Sequence, residues 1–148
     1  MGKQKKTNAM RILDQHKVVY QAQPWSELPE VHPQMYKTLV TVGKSNEHYV
    51  FVVPIDHELD LKKAAAAVEE KNIHMIKEKE LLPLTGYVHG GCSPLGMKKK
   101  FTTVIDDSIQ VHELILVSGG QVGLSIEIAP IDLAKVVDAK IINVRTDE

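Results

Sequence analysis

The sequence predicts a single mixed domain, α/β in content and α+β in order, in which strands and helices intermingle without regular βαβ alternation. Three observations carry that reading. YKTLVTV, HYVFVVP and LSIEIA have the β-branched composition or the alternation of strands. LKKAAAAVEEK and IDLAKVVDA have helical composition. The 148 residues hold no internal repeat, low-complexity tract or linker, and they suffice for one sizeable core.

Taken in order, Thr7 or Asn8 caps a helix through His16, with Ala9, Ile12 and Leu13 on one face. Val18, Val19 and Tyr20 suggest a strand. QAQPWSELPEVHP contains Pro24, Pro29 and Pro33 and reads as an irregular surface loop. YKTLVTV and HYVFVVP then flank GKSNE as a hairpin. Asp60 caps the alanine-rich helix over 61–71. NIHMI reads as a short strand and KEKELL as a short helix stopped near Pro83. FTTVID and ELILVS are strands, and GGQVG is a tight turn. In LSIEIA, Leu124, Ile126 and Ile128 alternate with Ser125 and Glu127, as in a half-buried strand. Pro130 suits the first turn of the next helix, and KIINV closes as a strand.

Composition narrows the function. The formal net charge is −1 and aromatics make up 5%, which argues against a protein that wraps duplex or stacks bases on a broad aromatic platform. Any nucleic-acid contact must be local. One cysteine, Cys92, excludes an intrachain disulfide framework and a multi-cysteine zinc site. The basic start lacks an apolar signal core, and no stretch is apolar enough for a membrane helix. A cytoplasmic protein is the expectation.

The segment TGYVHGGCSPLGMKKK (85–100) concentrates the candidate chemistry. Gly91 and Gly96 have Walker-type spacing, but Met97 stands where the lysine belongs and Pro94 removes a backbone donor. Nucleotide hydrolysis is excluded. Cys92 has His89 three residues upstream, yet a lone cysteine is usually a small buried apolar residue. The seven histidines form no zinc-protease or zinc-deaminase pattern, and no serine nucleophile elbow is present. Lys98, Lys99 and Lys100 suit either a solvated strand entrance or an anionic ligand beside a loop of backbone N–H groups. Lys37 reads from composition as an exposed lysine at a strand start. Ser118, Gly119 and Gly120 read as part of a turn that adjacent glycines permit. A shared pocket is compatible with these features, and its chemistry stays open on spacing alone.

The order of YKTLV, LDLKKAA, TGYVHGGCSPLGMKKK, ID (105–106), VSGG and LAKVVDAK resembles the YbaK/EbsC family, from about Ile12 to Val144. These are free-standing relatives of the editing domain inserted in bacterial prolyl-tRNA synthetases. The resemblance implies a mixed, barrel-like sheet flanked by helices. It implies a deacylase that removes cysteine from mischarged Cys-tRNA(Pro), and from Cys-tRNA(Cys), with prolyl-tRNA synthetase as a partner. Deacylation of Ala-tRNA(Pro) or another small aminoacyl-tRNA, and a non-catalytic regulatory role of the EbsC kind, are the alternatives.

Carried onto this chain, the resemblance makes Lys37 the pocket lysine and Gly91, Cys92 and Ser93 the backbone donors for an oxyanion. Tyr20, Thr38, Gly90, Gly96, Ser118, Gly119 and Gly120 would contact substrate, and Lys98–Lys100 would meet phosphates near the CCA end. No metal or organic cofactor is implied, because an aminoacyl ester is already activated. The substrate's own thiol attacks its carbonyl in the implied reaction, with a positioned water as the alternative, so Cys92 is not needed as nucleophile. One departure concerns the segment between Tyr20 and Tyr36. It is shorter than the family usually has and reads as proline-rich loop where the family has a helix that walls the pocket.

Overall fold

Short-range preferences account for most of the elements in a computed structural model that describes residues 6–27 and 34–147. The Thr7 hydroxyl accepts from the Met10 N–H and caps α1 (Asn8–Gln15), which buries Ala9, Met10 and Leu13. Asp60 does the same for α2 (Leu61–Ala67), accepting from the N–H groups of Lys62 and Lys63. This helix ends before the expected residue 71. Val68 follows as its cap, and Glu69 turns left-handed with φ of 59°. A third helix, α3 (Glu78–Thr85), runs past Pro83 and stops at Gly86, whose φ of 85° makes it the natural terminator. The last, α4 (Pro130–Val137), starts on its proline as expected.

The strands are β1 (Tyr20–Pro24), β2 (Tyr36–Gly43), β3 (His48–Pro54), β4 (Ile73–Met75), β5 (Thr102–Ile105), β6 (Ile115–Gln121), β7 (Leu124–Ile128) and β8 (Lys140–Ile141). The predicted strand near Val18 therefore begins at Tyr20 and continues into residues expected as loop; Trp25–Glu27 follow as a short 3-10 turn, and the rest of the expected loop, 28–33, lies outside the described residues. Pro24 is tolerated because Trp25 bonds back to Gly123, which puts Pro24 at a non-bonded position of the β1–β7 ladder. Gly119 and Gly120 lie inside β6, at a register shift between Ser118 and Gln121, so the turn proper is narrower than GGQVG.

Two sheets result, ordered β1-β7-β6 and β4-β2-β3-β5-β8. A parallel bridge between Met35 and Leu116 joins them, but they do not close into the expected barrel. Near that bridge the sheets touch; farther along they part. The short β4 pairs with Thr41–Gly43, Ile76 adds a bond to the Val40 carbonyl, and among the described residues Lys37–Leu39 have no ladder partner on that side.

Behind β2 and β3, Asp106 fastens the C-terminal segment. Its carboxylate is fully buried and accepts from the N–H groups of Ser108, Val144 and Arg145 and from the Arg145 guanidinium at 2.9 Å. Burial works to raise its pKa, and these hydrogen bonds outweigh it, holding the carboxyl below its ordinary value.

Candidate functional site

Where the sheets part, a cavity of about 450 Å³ opens. One wall is β2 from Tyr36 to Val40. Opposite stand Ser118 of β6, Ser125 of β7 and Trp25, while His89, Gly90 and Cys92 of the glycine-rich loop close a third side. Met75, Ile76, Glu78 and Leu81 complete the lining.

Lys37 lines this space half-buried, and its ammonium makes no hydrogen bond or ion pair with another described residue. Asp56 lies near enough to feel that charge. The hydrogen bond from His57 is the main reason the Asp56 carboxyl is held low, and Lys37 adds to it. Next to Lys37, the Thr38 hydroxyl oxygen is buried without a hydrogen-bond partner among the described residues. The Thr38 backbone is open as well. Ile55 donates to Met35 and Gly43 to Glu47, so odd-numbered residues of β2 bond to β3 and Thr38 directs its N–H and C=O to the free edge. A buried polar atom left unpaired is costly, on the order of 1–3 kcal/mol, which makes this edge a place for a ligand's polar groups.

Cys92 is different in kind. Burial pushes its thiol up to about 12, so the group is protonated near neutral pH and packs beside Val40, Val50, Leu81 and Tyr87. Its place in the wall agrees with an apolar residue, and its thiol is a poor nucleophile. What the loop offers instead is backbone. The N–H groups of Gly90 and Cys92 have no acceptor among the described residues, whereas the Gly91 N–H already donates to Val88 at 3.0 Å.

Of the residues expected at the site, Lys37, Thr38, Gly90, Cys92 and Ser118 line one cavity. The others lie elsewhere. Ser93 is fully buried and its hydroxyl accepts from the Leu95 N–H. Gly91 packs against the β6–β7 turn, where an added Cβ would sit 2.9 Å from the Val122 nitrogen. Gly96 meets the start of α1, 2.8 Å from Asn8 by the same construction, and Gly120 faces Tyr87 and Thr7. Gly119 lies beside Leu124, and its carbonyl accepts from the Thr7 hydroxyl. Tyr20 begins β1 and donates to Asp14. Lys98, Lys99 and Lys100 are exposed beyond the loop, with Lys100 loosely paired to Asp138 at 3.7 Å.

Sequence reasoning missed Trp25 and Ser125. Trp25 was hidden in a proline-rich stretch, although being the chain's one tryptophan was a signal. Ser125 was assigned to the solvent face of an alternating strand. It is 3% exposed because that face of β7 looks onto the cavity and Trp25. Among the described residues, no group of three or more His, Cys, Asp and Glu side chains is placed to hold a metal ion.

A cavity with a lysine and backbone amides unpaired among the described residues, and with a protonated thiol in its wall, suits binding and polarising a carbonyl ester. Comparison with known proteins specifies this class. The aminoacyl-tRNA editing domain family matches residues 22–136, and the chain belongs to it. A protein of Enterococcus faecalis provisionally named Cys-tRNA(Pro)/Cys-tRNA(Cys) deacylase EbsC is 40% identical over 158 aligned residues, covering 98% of this chain and 96% of that protein. A crystal structure provisionally described as a trans-editing enzyme for prolyl tRNA synthetase shares the fold with a TM-score of 0.80 at 21% identity, covering 94% of this chain and 95% of that one. A hypothetical protein shares it with a TM-score of 0.84 at 17% identity, covering 94% and 99%.

Proposed function

We propose that this protein releases cysteine from mischarged Cys-tRNA(Pro), with Cys-tRNA(Cys) as a second substrate. The observation that carries this reading is Lys37, whose ammonium is unpaired among the described residues, lining the same cavity as Gly90 and Cys92, whose N–H groups have no acceptor among the described residues. Lys37 would hold the terminal ribose and ester, and the two amides would receive the oxyanion as the carbonyl becomes tetrahedral. Gly90 takes the place of Gly91, whose N–H is engaged by Val88, and of Ser93, which does not line the cavity.

The substrate supplies its own nucleophile. Its thiol sulfur bonds to the carbonyl carbon, the ester C–O bond breaks, and the thiol proton ends on the ribose oxygen. The products are a thiolactone and tRNA with a free hydroxyl. Cysteine and proline are close in volume, and a pocket discriminates such differences by only about 1–3 kcal/mol, so a second site that destroys the wrong ester restores accuracy. The exposed Lys98–Lys100 would meet acceptor-end phosphates, a local contact compatible with a net charge of −1. In this reading a partner, prolyl-tRNA synthetase, supplies tRNA identity, in the cytoplasm where charging occurs.

Release of labelled amino acid from tRNA(Pro) charged with cysteine or alanine tests the proposal. Cysteine should be released faster, and a thiolactone trapped by hydroxylamine should precede free cysteine. Preference for alanine would assign a different substrate. No acceleration over spontaneous ester hydrolysis would end the enzymatic reading.

A further inference from the structure

Trp25 joins a fixed position to an exposed face. It lines the cavity with Lys37 and Gly90, yet keeps 44% of its surface accessible. Its backbone N–H donates to Gly123 at 2.8 Å, and its indole N–H donates to the Ser125 hydroxyl at 3.1 Å. The polar edge of the ring is therefore satisfied, and what it has left to offer is an aromatic surface. The adjoining cavity of about 450 Å³ falls within the range that takes whole drug-sized ligands, more than an aminoacyl group requires.

We propose that Trp25 is the stacking platform for the terminal nucleobase of the acceptor strand. This rests on the deacylase reading, and it assigns a binding subsite to a residue outside the lysine and the glycine loop. The ester and the base hang from one ribose. With the ester against Lys37, the base stays within reach of the walls of the same cavity, and Trp25 is the aromatic indole among its lining residues. Stacking accepts any base, so a single aromatic contributes affinity without reading tRNA identity. That suits a chain with few aromatics and no net positive charge.

Because the chain has one tryptophan, its fluorescence reports this residue alone. The probe is an uncharged RNA hairpin with an unpaired 3′-CCA end, compared with the same hairpin carrying an abasic terminal nucleotide. The CCA hairpin should quench the emission, and removing the base should weaken binding roughly 5- to 100-fold. Measured with dye-labelled RNA, Trp25→Ala should weaken CCA binding by a similar factor and leave abasic binding unchanged, while Trp25→Phe should restore most of the loss. Equal effects of Trp25→Ala on both hairpins would overturn the platform, as would quenching that appears only with cysteinylated RNA. Deacylation of Cys-tRNA(Pro) by wild type, without base-dependent quenching, would overturn the platform and leave the deacylase reading standing. Base-dependent quenching without deacylation would uphold the platform and remove that reading.

Discussion

Asp106 and the Lys37–Thr38 edge are both polar insertions into an apolar interior, and they are treated in opposite ways. Every lone pair direction of Asp106 is met by an N–H or a guanidinium, and the result is a rivet between β5 and the C-terminal segment. At the cavity, the Thr38 hydroxyl and the Lys37 ammonium have no such partners among the described residues. A satisfied buried group holds a fold together, and a polar group left unpaired beside a cavity adds nothing to that hold. The two sites are linked through Tyr36, which neighbours Lys37 in β2 and hydrogen-bonds to Ser108 at 2.7 Å, next to the Asp106 network.

The largest expected effect breaks the satisfied side. Asp106→Ala strands three backbone donors, the N–H groups of Ser108, Val144 and Arg145, and leaves the Arg145 guanidinium with Asp107 alone, and should cost about 3–5 kcal/mol, lowering Tm by roughly 10–15 °C. The effect also has a pH signature. Since the folded carboxyl is held below its ordinary value, its stabilisation is present above the unfolded pKa near 3.9 and lost as pH falls through the folded value. The Tm gap between wild type and variant should therefore narrow below about pH 4, and a gap that persists would contradict the assignment.

A smaller effect tests whether the glycine-rich loop is chiefly a packing device. Gly91→Ala places a methyl against the backbone at Val122, which cannot move as a side chain can, and should cost about 1–3 kcal/mol in urea titrations. Thr38→Val sharpens the other side of the comparison. Removing an unpaired hydroxyl should leave stability unchanged or raise it by up to about 1 kcal/mol, while substrate KM rises. A loss of stability would show that the hydroxyl is not waiting for a ligand.

Cys92→Ala should be the mildest for activity. With its thiol pushed up to about 12, wild-type Cys92 should react slowly with disulfide reagents at pH 8, and most deacylation should survive the substitution. Collapse of activity in a folded variant would restore the thiol to the mechanism.

Much of this was legible in the sequence where neighbours in the chain decide the outcome. The caps at Thr7 and Asp60, the hairpin around GKSNE and the start at Pro130 are such cases. The order of motifs also pointed to the family. What the chain did not reveal depends on tertiary placement. Strand alternation cannot say that the polar face of β7 meets a cavity, so Ser125 was misplaced. A cluster of glycines looks like a ligand cradle, but Gly91, Gly96 and Gly120 let the loop, α1 and the β6–β7 turn approach one another, and only Gly90 reaches the cavity. Nor does composition show that β4 pairs with only the far end of β2, or that Lys37 lines a cavity.

The central claim is that Lys37 serves the ligand and not the fold. Lys37→Ala, assayed for cysteine release from Cys-tRNA(Pro) and melted from the same preparation, tests it directly. Activity should fall by roughly 10²-fold or more, the scale of losing one preorganised oxyanion contact, with Tm within a few degrees of wild type. Full activity in the variant, or a loss matched by a collapse in Tm, would contradict it.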